Sequence, residues 1–199
     1  MRTIFKLAPR KIHRNYSKGN AGNFRSIGIV RKKLIKKCKG NVILFEVFEE
    51  KIGKIKIKRD VVNFPKTVGI LPLVGKNKIV LIKQFRFPIK KEIWEIPAGK
   101  LNKGEKPEIG AKRELKEETG YVAKELKKIG EFYLSPGYST EYMYLFLAKG
   151  LKKGKQILDK GEKIEEVKIF SRKEILKMIK AGKILDAKTI LALFFSGLT

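Results

Sequence analysis

The sequence predicts an α/β fold of the α+β kind, a mixed β-sheet sandwiched between helices and preceded by an antiparallel β region. Three features predict it. Residues 26–62 are rich in β-branched residues and partly alternate between apolar and polar. A helical stretch with a proline near its start and a glycine after its end interrupts the later strands over 107–119. Two further helical patterns close the chain, so helices follow strands with mixed connections.

Along the chain, "MRTIFKLAPRKIHRNYSKGNAGNFR" has no sustained period and ends in Gly/Asn-rich sequence. Residues 1–25 therefore read as a flexible basic extension. "SIGIVRKKLI", "NVILFEVFEE" and "KIGKIKIKRDVV" read as strands of an N-terminal β region over 26–62. In the last of these, "KIKIKRD" alternates strictly, as does a strand with one face in water. "TVGILPLVG" and "KIVLIKQFRF" are apolar enough for central strands, and "GKNK" joins them as a hairpin turn. "EIWEIPAG" reads as one short strand stopped by Pro97 and Gly99.

Helix 107–119 starts on Pro107, and Gly120 suits the residue beyond its end. Ala111, Leu115 and Thr119 make its buried stripe. Strands follow at "KKIGEFYLS" and "EYMYLFLAKGL", separated by the loop "SPGYSTE", and a further strand at "EEVKIF". Ser171 and Glu174 form a capping box for "RKEILKMIKAG". "DAKTILALFFSG" is a last amphipathic helix ending at Gly197.

The 199 residues suit one domain with extra elements, divided as the extension 1–25, the β region 26–62 and a main domain 63–199. No apolar run reaches the roughly 18 residues of a membrane span, so no membrane association is expected. Cys38 is the only cysteine, which excludes an internal disulfide and a cysteine-based zinc site and fits a reducing, cytoplasmic setting. The net charge is +27, and residues 1–45 contain Lys and Arg but no acid. Such a field attracts nucleotides, nucleic acid or acidic surfaces. In the body of the chain the lysines are scattered, which also fits plain genome composition or a hot habitat. The basic extension leaves three readings open: a solvated tail, an organelle presequence, or an arm that contacts nucleic acid or a ribosome.

Against this basic background, Glu114, Glu117 and Glu118 fall within one helical turn and a half. Like charges spaced i, i+3 and i, i+4 repel, so the cluster costs stability unless a cation sits among them. Carboxylate oxygens suit hard divalent cations, and Mg²⁺ takes one or two of them together with waters and substrate phosphates. Two such ions would polarise a diphosphate and activate a water. Arg113 is no metal ligand; it is expected to pair with a carboxylate such as Glu105 and hold the loop before the helix. A solvated charged face with Lys112 and Lys116 as partners is the plainer alternative.

The spacing decides between them. Gly99, five residues, Glu105, seven residues, Arg113, Glu114, Leu115, any residue, Glu117, Glu118, any residue, Gly120 and Tyr121 follow in order. This run resembles the signature of the Nudix hydrolases, with Tyr121 at a position that is usually aliphatic. The resemblance implies the Nudix fold and hydrolysis of a nucleoside diphosphate linked to some group X. It implies that Glu114 and Glu118 bind the catalytic Mg²⁺, or Mn²⁺, with help from Glu117 and from the Ala98 carbonyl. Gly99, Glu105 and Gly120 would shape the motif, while Arg113 and Glu117 count among the catalytic residues.

Flanking stretches carry the resemblance from about Ile27 to the C-terminus and point to the ADP-ribose pyrophosphatase branch: "KRDVVNFPKTVGILPLV", "IKQFRFP", "WEIPAGKL", "SPGYSTE" and "AGKILDAKTILALFF". Pro136, sixteen residues past Gly120, matches a marker of that branch. The resemblance makes Arg86 a substrate contact, a role its bidentate fork suits. It makes Glu141, in a loop expected to be mobile, the group that orients or deprotonates the attacking water or assists a metal. Glu95 is a further substrate-binding candidate. Phe48, Phe64 and Tyr138 are candidate plates for an adenine ring, His13 has no ligand role, and Trp94 reads as packing. Region 26–62 is expected to pair with a second copy in a homodimer. The alternatives at this point are the same chemistry on another nucleoside diphosphate derivative, and a Nudix-like module whose basic arm docks on RNA or a ribosome.

Overall fold

The computed structural model describes residues 31–158, 161 and 163–198. The extension 1–25, with His13, and the first five residues of the expected β region lie outside the described residues.

The N-terminal sheet has three antiparallel strands, β1 (Arg31–Lys39), β2 (Leu44–Ile52) and β3 (Ile55–Asn63). Its glutamates lie on the middle strand, between two basic neighbours. In register, β2 sets Glu46 against Lys37 and Glu49 against Lys33 on one side, and Glu49 against Lys58 on the other. Ion pairs Arg59–Glu50 at 3.1 Å and Lys56–Glu49 at 3.3 Å tie β3 to it. The lysines of β1 also discourage indiscriminate pairing along that edge.

The larger sheet is mixed, as expected. Its strands are β4 (Thr67–Val74), β5 (Lys78–Arg86), β6 (Lys91–Glu95), β7 (Ala98–Lys100), β8 (Tyr121–Tyr133), β9 (Tyr142–Lys153) and β10 (Ile164–Ser171). The order is β10-β5-β4-β9-β8, with β6 on β5 and β7 on β4; β4 and β9 run parallel. Strand β4 is buried along nearly its whole length because both faces are covered. Val68 and Ile70 pack with Ala111 and Leu115 of helix α1 (Pro107–Thr119). Leu71 and Leu73 pack instead with Ile175 of α2 (Arg172–Lys180) and Leu193 of α3 (Ala187–Ser196).

The helix boundaries follow from local chemistry. Pro107 opens α1 and Gly120 closes it at φ 72°, a left-handed cap that suits glycine. Ser171 and Glu174 form the expected capping box of α2. Asp186 caps α3 by accepting from the Thr189 N–H at 3.0 Å.

Two elements differ from expectation. "EIWEIPAG" is not one strand: β6 ends at Glu95 and a second strand, β7, contains Gly99. Gly99 pairs with Val68, and a Cβ there would lie 2.1 Å from the Glu114 carboxyl carbon. Gly99 is therefore a point of close approach, not a stop. Strand β8 begins directly after Gly120 and runs 13 residues, far longer than "KKIGEFYLS". Its lysine-rich first half is held by pairing with the second half of β9, Leu147 to Lys153, rather than by its own β propensity.

Candidate active site

A cleft of about 770 Å³ opens beside the pairing of β4 with β7, lined there by Thr67, Ala98, Gly99 and Lys100. Its lining includes Phe64, Arg86, Ala98, Glu114, Glu141 and Lys188.

One wall comes from α1 with the loop before it and carries the acid cluster, of which Glu114 lines the cleft beside Arg113 while Glu105, Glu117 and Glu118 lie behind it. Arg113 is its hub. Arg113 Nε and Nη2 donate to the two carboxylate oxygens of Glu105, each at 2.9 Å, and Nη2 also reaches the Lys100 carbonyl at 3.0 Å. Arg113 Nη1 donates to Glu114 Oε1 at 2.7 Å and Glu117 Oε2 at 2.9 Å. Glu105 closes the loop by accepting from the Asn102 N–H at 2.9 Å. Hydrogen bonding to Arg113 holds the Glu105 carboxyl below its ordinary range and, with Glu114 and Glu117, pushes the Arg113 guanidinium further up.

Glu118 points elsewhere on the same face. Its Oε2 accepts from the Ala98 N–H at 2.8 Å, which fixes the helix to β7. Glu114 and Glu118 are buried, and Glu117 is half-buried. The helix face therefore brings Glu105, Arg113, Glu114, Glu117 and Glu118 together with Ala98 and Gly99. Among the described residues, however, no three His, Cys, Asp or Glu side chains converge on one point that would hold a metal ion. Glu114 and Glu117 turn to Arg113, while Glu118 turns to Ala98. The donors still fit a hard dication: they are carboxylate oxygens, and a cationic nitrogen already sits between Glu114 and Glu117 at hydrogen-bond distance.

The opposite wall is cationic. Arg86, at the end of β5, donates from Nε and Nη2 to the two oxygens of Glu95, both at 2.7 Å. Glu95 is 0% exposed and also accepts from Lys188 Nζ. Lys188 donates to Asp186 Oδ1 at 2.8 Å as well. Burial works against the Arg86 charge, but the hydrogen bond to Glu95 and the charges of Glu95, Glu118 and Asp186 together outweigh it and hold the guanidinium above its usual value. Thr189 completes the anchorage, its hydroxyl accepting from the Ile96 N–H at 2.9 Å. Gln84 lies on the same strand as Arg86, and its Oε1 is a buried acceptor with no partner among the described residues.

Glu141 sits between the walls, at the end of the "SPGYSTE" loop. Burial pushes its carboxyl up, with Lys188 and Arg86 pulling the other way. Its N–H donates to Ser139 Oγ at 3.1 Å, so the loop is tied at this point.

Of the three aromatic candidates only Phe64 lines the cleft. Phe48 and Tyr138 border a separate hollow with Arg59. Trp94 packs edge-on against Phe170 at 4.8 Å. Lys188 and Asp186 were absent from the sequence expectation. One signal pointed to Lys188: a lysine in the first turn of a helix opposes the helix dipole and needs a carboxylate to offset it.

A family model described as NUDIX domain matches residues 63–193. The chain is 45% identical over 138 residues to an ADP-ribose pyrophosphatase of Bacillus subtilis (strain 168), spanning 68% of this chain and 74% of that protein. It is 42% identical over 137 residues to a methanol dehydrogenase activator of Bacillus methanolicus, spanning 68% and 74%. A GDP-mannose pyrophosphatase of Escherichia coli O1:K1 is 34% identical over 148 residues, spanning 70% and 77%. A crystal structure of an ADP compounds hydrolase superposes with a TM-score of 0.70 over 84% of this chain and 92% of that one; at 19% identity, it shows a shared fold.

Proposed function

Because the chain belongs to the Nudix family, we propose that it hydrolyses the diphosphate of ADP-ribose to AMP and ribose 5-phosphate, using Mg²⁺. The observation that carries this reading is that one cleft is lined by Glu114 of the α1 acid cluster and by Arg86 and Lys188, the two cations that Glu95 holds from behind. A diphosphate needs both: cations to bind its oxygens, and a site for the dication that accompanies it. The choice of ADP-ribose rests on the 45% identity to the Bacillus subtilis enzyme, against 34% to the GDP-mannose enzyme.

Glu114, Glu117 and Glu118, with the Ala98 carbonyl, would hold the metal. Bound there, Mg²⁺ supplies Lewis-acid polarisation of the diphosphate and a more acidic water. Arg113 sets the two carboxylates Glu114 and Glu117 in place and, through Glu105, locks the loop that carries them. Arg86 grips a phosphate with the N–H groups that Glu95 leaves over, and Glu95 fixes the angle of that grip. Glu141 orients the attacking water and takes its proton as the oxygen bonds to phosphorus and the bridging P–O bond breaks.

We assign residues 63–199 to the hydrolase domain and the N-terminal sheet to pairing of two copies. Exposed Leu34 and Ile35 on β1 and Ile43 in the turn before β2 support the pairing. A sedimentation mass of one chain would remove it. The expected setting is cytoplasmic. Among the described residues no helix is long and apolar enough to cross a membrane.

The test is a substrate panel of ADP-ribose, GDP-mannose, FAD and NAD, with Mg²⁺ and with EDTA. ADP-ribose is expected among the best substrates, with turnover lost in EDTA and restored by Mg²⁺. Preference for another member would retain the chemistry and overturn the substrate. No hydrolysis, together with salt-sensitive RNA binding lost on deleting residues 1–25, would favour a binding module instead.

A further inference from the structure

Strand β3 does not end its pairing with β2. Past Asp60 its last residues take up the Glu141 loop as a short parallel partner. The Val62 N–H donates to the Tyr138 carbonyl at 2.7 Å, and the Thr140 N–H donates to the Val62 carbonyl at 3.0 Å, around a parallel bridge between Val62 and Ser139. The Thr140 hydroxyl extends this clamp by one residue. Its oxygen accepts from the Phe64 N–H at 2.9 Å and donates to the Phe64 carbonyl at 3.4 Å. Phe64 lines the cleft, and the residue after Thr140 is Glu141.

The contacts of Glu141 are otherwise made within its own loop. Its N–H goes to Ser139 Oγ and its carbonyl accepts from the Leu134 N–H at 3.2 Å. These bonds shape the loop. On its C-terminal side Glu141 is tied to the sheet through Tyr142, which pairs with Tyr133 and whose carbonyl accepts from the Thr67 hydroxyl at 3.4 Å. On its N-terminal side the loop is held by the bonds to Val62 and Phe64, and Thr140 supplies three of those four.

We propose that Thr140 is a positioning residue, whose hydroxyl on the Phe64 backbone holds Glu141 at the cleft and so couples the N-terminal sheet to the reaction. This rests on Glu141 managing the attacking water. The physical reason is pre-organisation. A carboxylate on a loop that must find its place at each turnover loses rate, and a displacement of about 1 Å at a reacting group costs on the order of 10²-fold. Because the loop places the water and does not grip the phosphates, the loss falls on kcat rather than KM.

Thr140 is exposed, so Thr140→Val removes the hydroxyl while leaving the core and the backbone bonds of the bridge. The full-length chain is assayed on its best substrate from the panel. Thr140→Val is expected to lower kcat by about 10- to 100-fold, with KM within about threefold of the unaltered chain. Thr140→Ser, which keeps the hydroxyl, restores most of the rate. Adding Thr140→Val to Glu141→Gln costs little further, because the two act through one group. Unchanged kcat in Thr140→Val overturns the proposal, as does a loss that multiplies in full with that of Glu141→Gln. Full activity in Glu141→Gln alone removes the role of Glu141, and with it the proposal. An active parent and an impaired Glu141→Gln beside a normal Thr140→Val overturn the clamp alone. A drop in thermal midpoint for both Thr140 variants with equal loss of rate marks a structural role and also overturns it.

Discussion

The acid wall draws Glu105, Arg113, Glu114, Glu117 and Glu118 from one loop and the helix after it, whereas the cationic wall takes Arg86 from β5, Glu95 from β6 and Lys188 from α3. The first is a local object. Its spacing follows from 3.6 residues per turn, and its geometry survives wherever the helix is placed. The second exists only after the sheet has formed and α3 has docked. Burial does not follow the same division: Glu114 and Glu118 of the first are buried like Glu95 of the second, and the Arg86 side chain, at 37%, is more exposed than that of Arg113, at 23%. The two walls differ, then, in how they are assembled rather than in how deeply they lie: one comes with its helix, the other only with the folded sheet.

Glu118→Gln tests that contrast at its largest. The Gln side-chain oxygen can still accept from the Ala98 N–H, so the tie between α1 and β7 persists and the thermal midpoint stays close to that of the parent. Loss of a metal-binding charge removes several kcal/mol from the transition state, so kcat is expected to fall about 10³-fold. Steady-state kinetics and calorimetry on the same variant read the two effects. Substantial turnover in Glu118→Gln would contradict the metal assignment, and unfolding would contradict the separation of the two walls.

Lys188→Met presses on the other wall. It leaves Glu95 fully buried with Arg86 as its remaining cation and strips a partner from Asp186, the cap of α3. Leaving a buried charge short of a partner costs about 2 kcal/mol. Thermal denaturation should show a clear loss of stability, together with a raised KM as Arg86 is drawn further into Glu95. A variant as stable as the parent would show that this wall is as detachable as the acid one. Lys112→Met on the exposed side of α1 serves as the control and should move neither quantity.

The same contrast explains what could be read from the sequence. Helix α1 was legible to the residue because Pro107, Gly120 and the Ala111–Leu115–Thr119 stripe are local signals. The Arg113–Glu105 pair was legible from the motif that encloses both. Arg86 and Glu95 could be named singly, but not as partners: even the β5–β6 register sets Arg86 against Lys91 and Glu95 against Ile82, and only the side-chain bonds bring the two together. Lys188 stood out only as a lysine in the first turn of a helix, and its role could not be read because its partner Glu95 lies 93 positions away. Gly99 was misread as a strand stop for a related reason: the side chain that needs its missing Cβ is on α1. Strand β8 was cut short because its partner, not its lysine-rich sequence, makes it a strand.

The smallest expected effect concerns Glu141, which lies between the walls and senses one of them. Burial raises its carboxyl above the ordinary range, and Lys188 and Arg86 partly offset that. For stability the sign follows from proton binding. The folded chain holds this proton more tightly than the unfolded one, so the burial penalty is absent at low pH and grows as pH rises through the raised value. For activity the sign is opposite, because a base works only when deprotonated. The acid limb of kcat/KM should therefore lie above the usual carboxylate range and report the free enzyme. Lys188→Met removes the leading opposing charge and should move that limb to higher pH, whereas Lys112→Met should leave it in place. A limb that does not move with Lys188 would mean that Glu141 does not feel the cationic wall, and that the residue limiting activity in acid belongs to α1 instead.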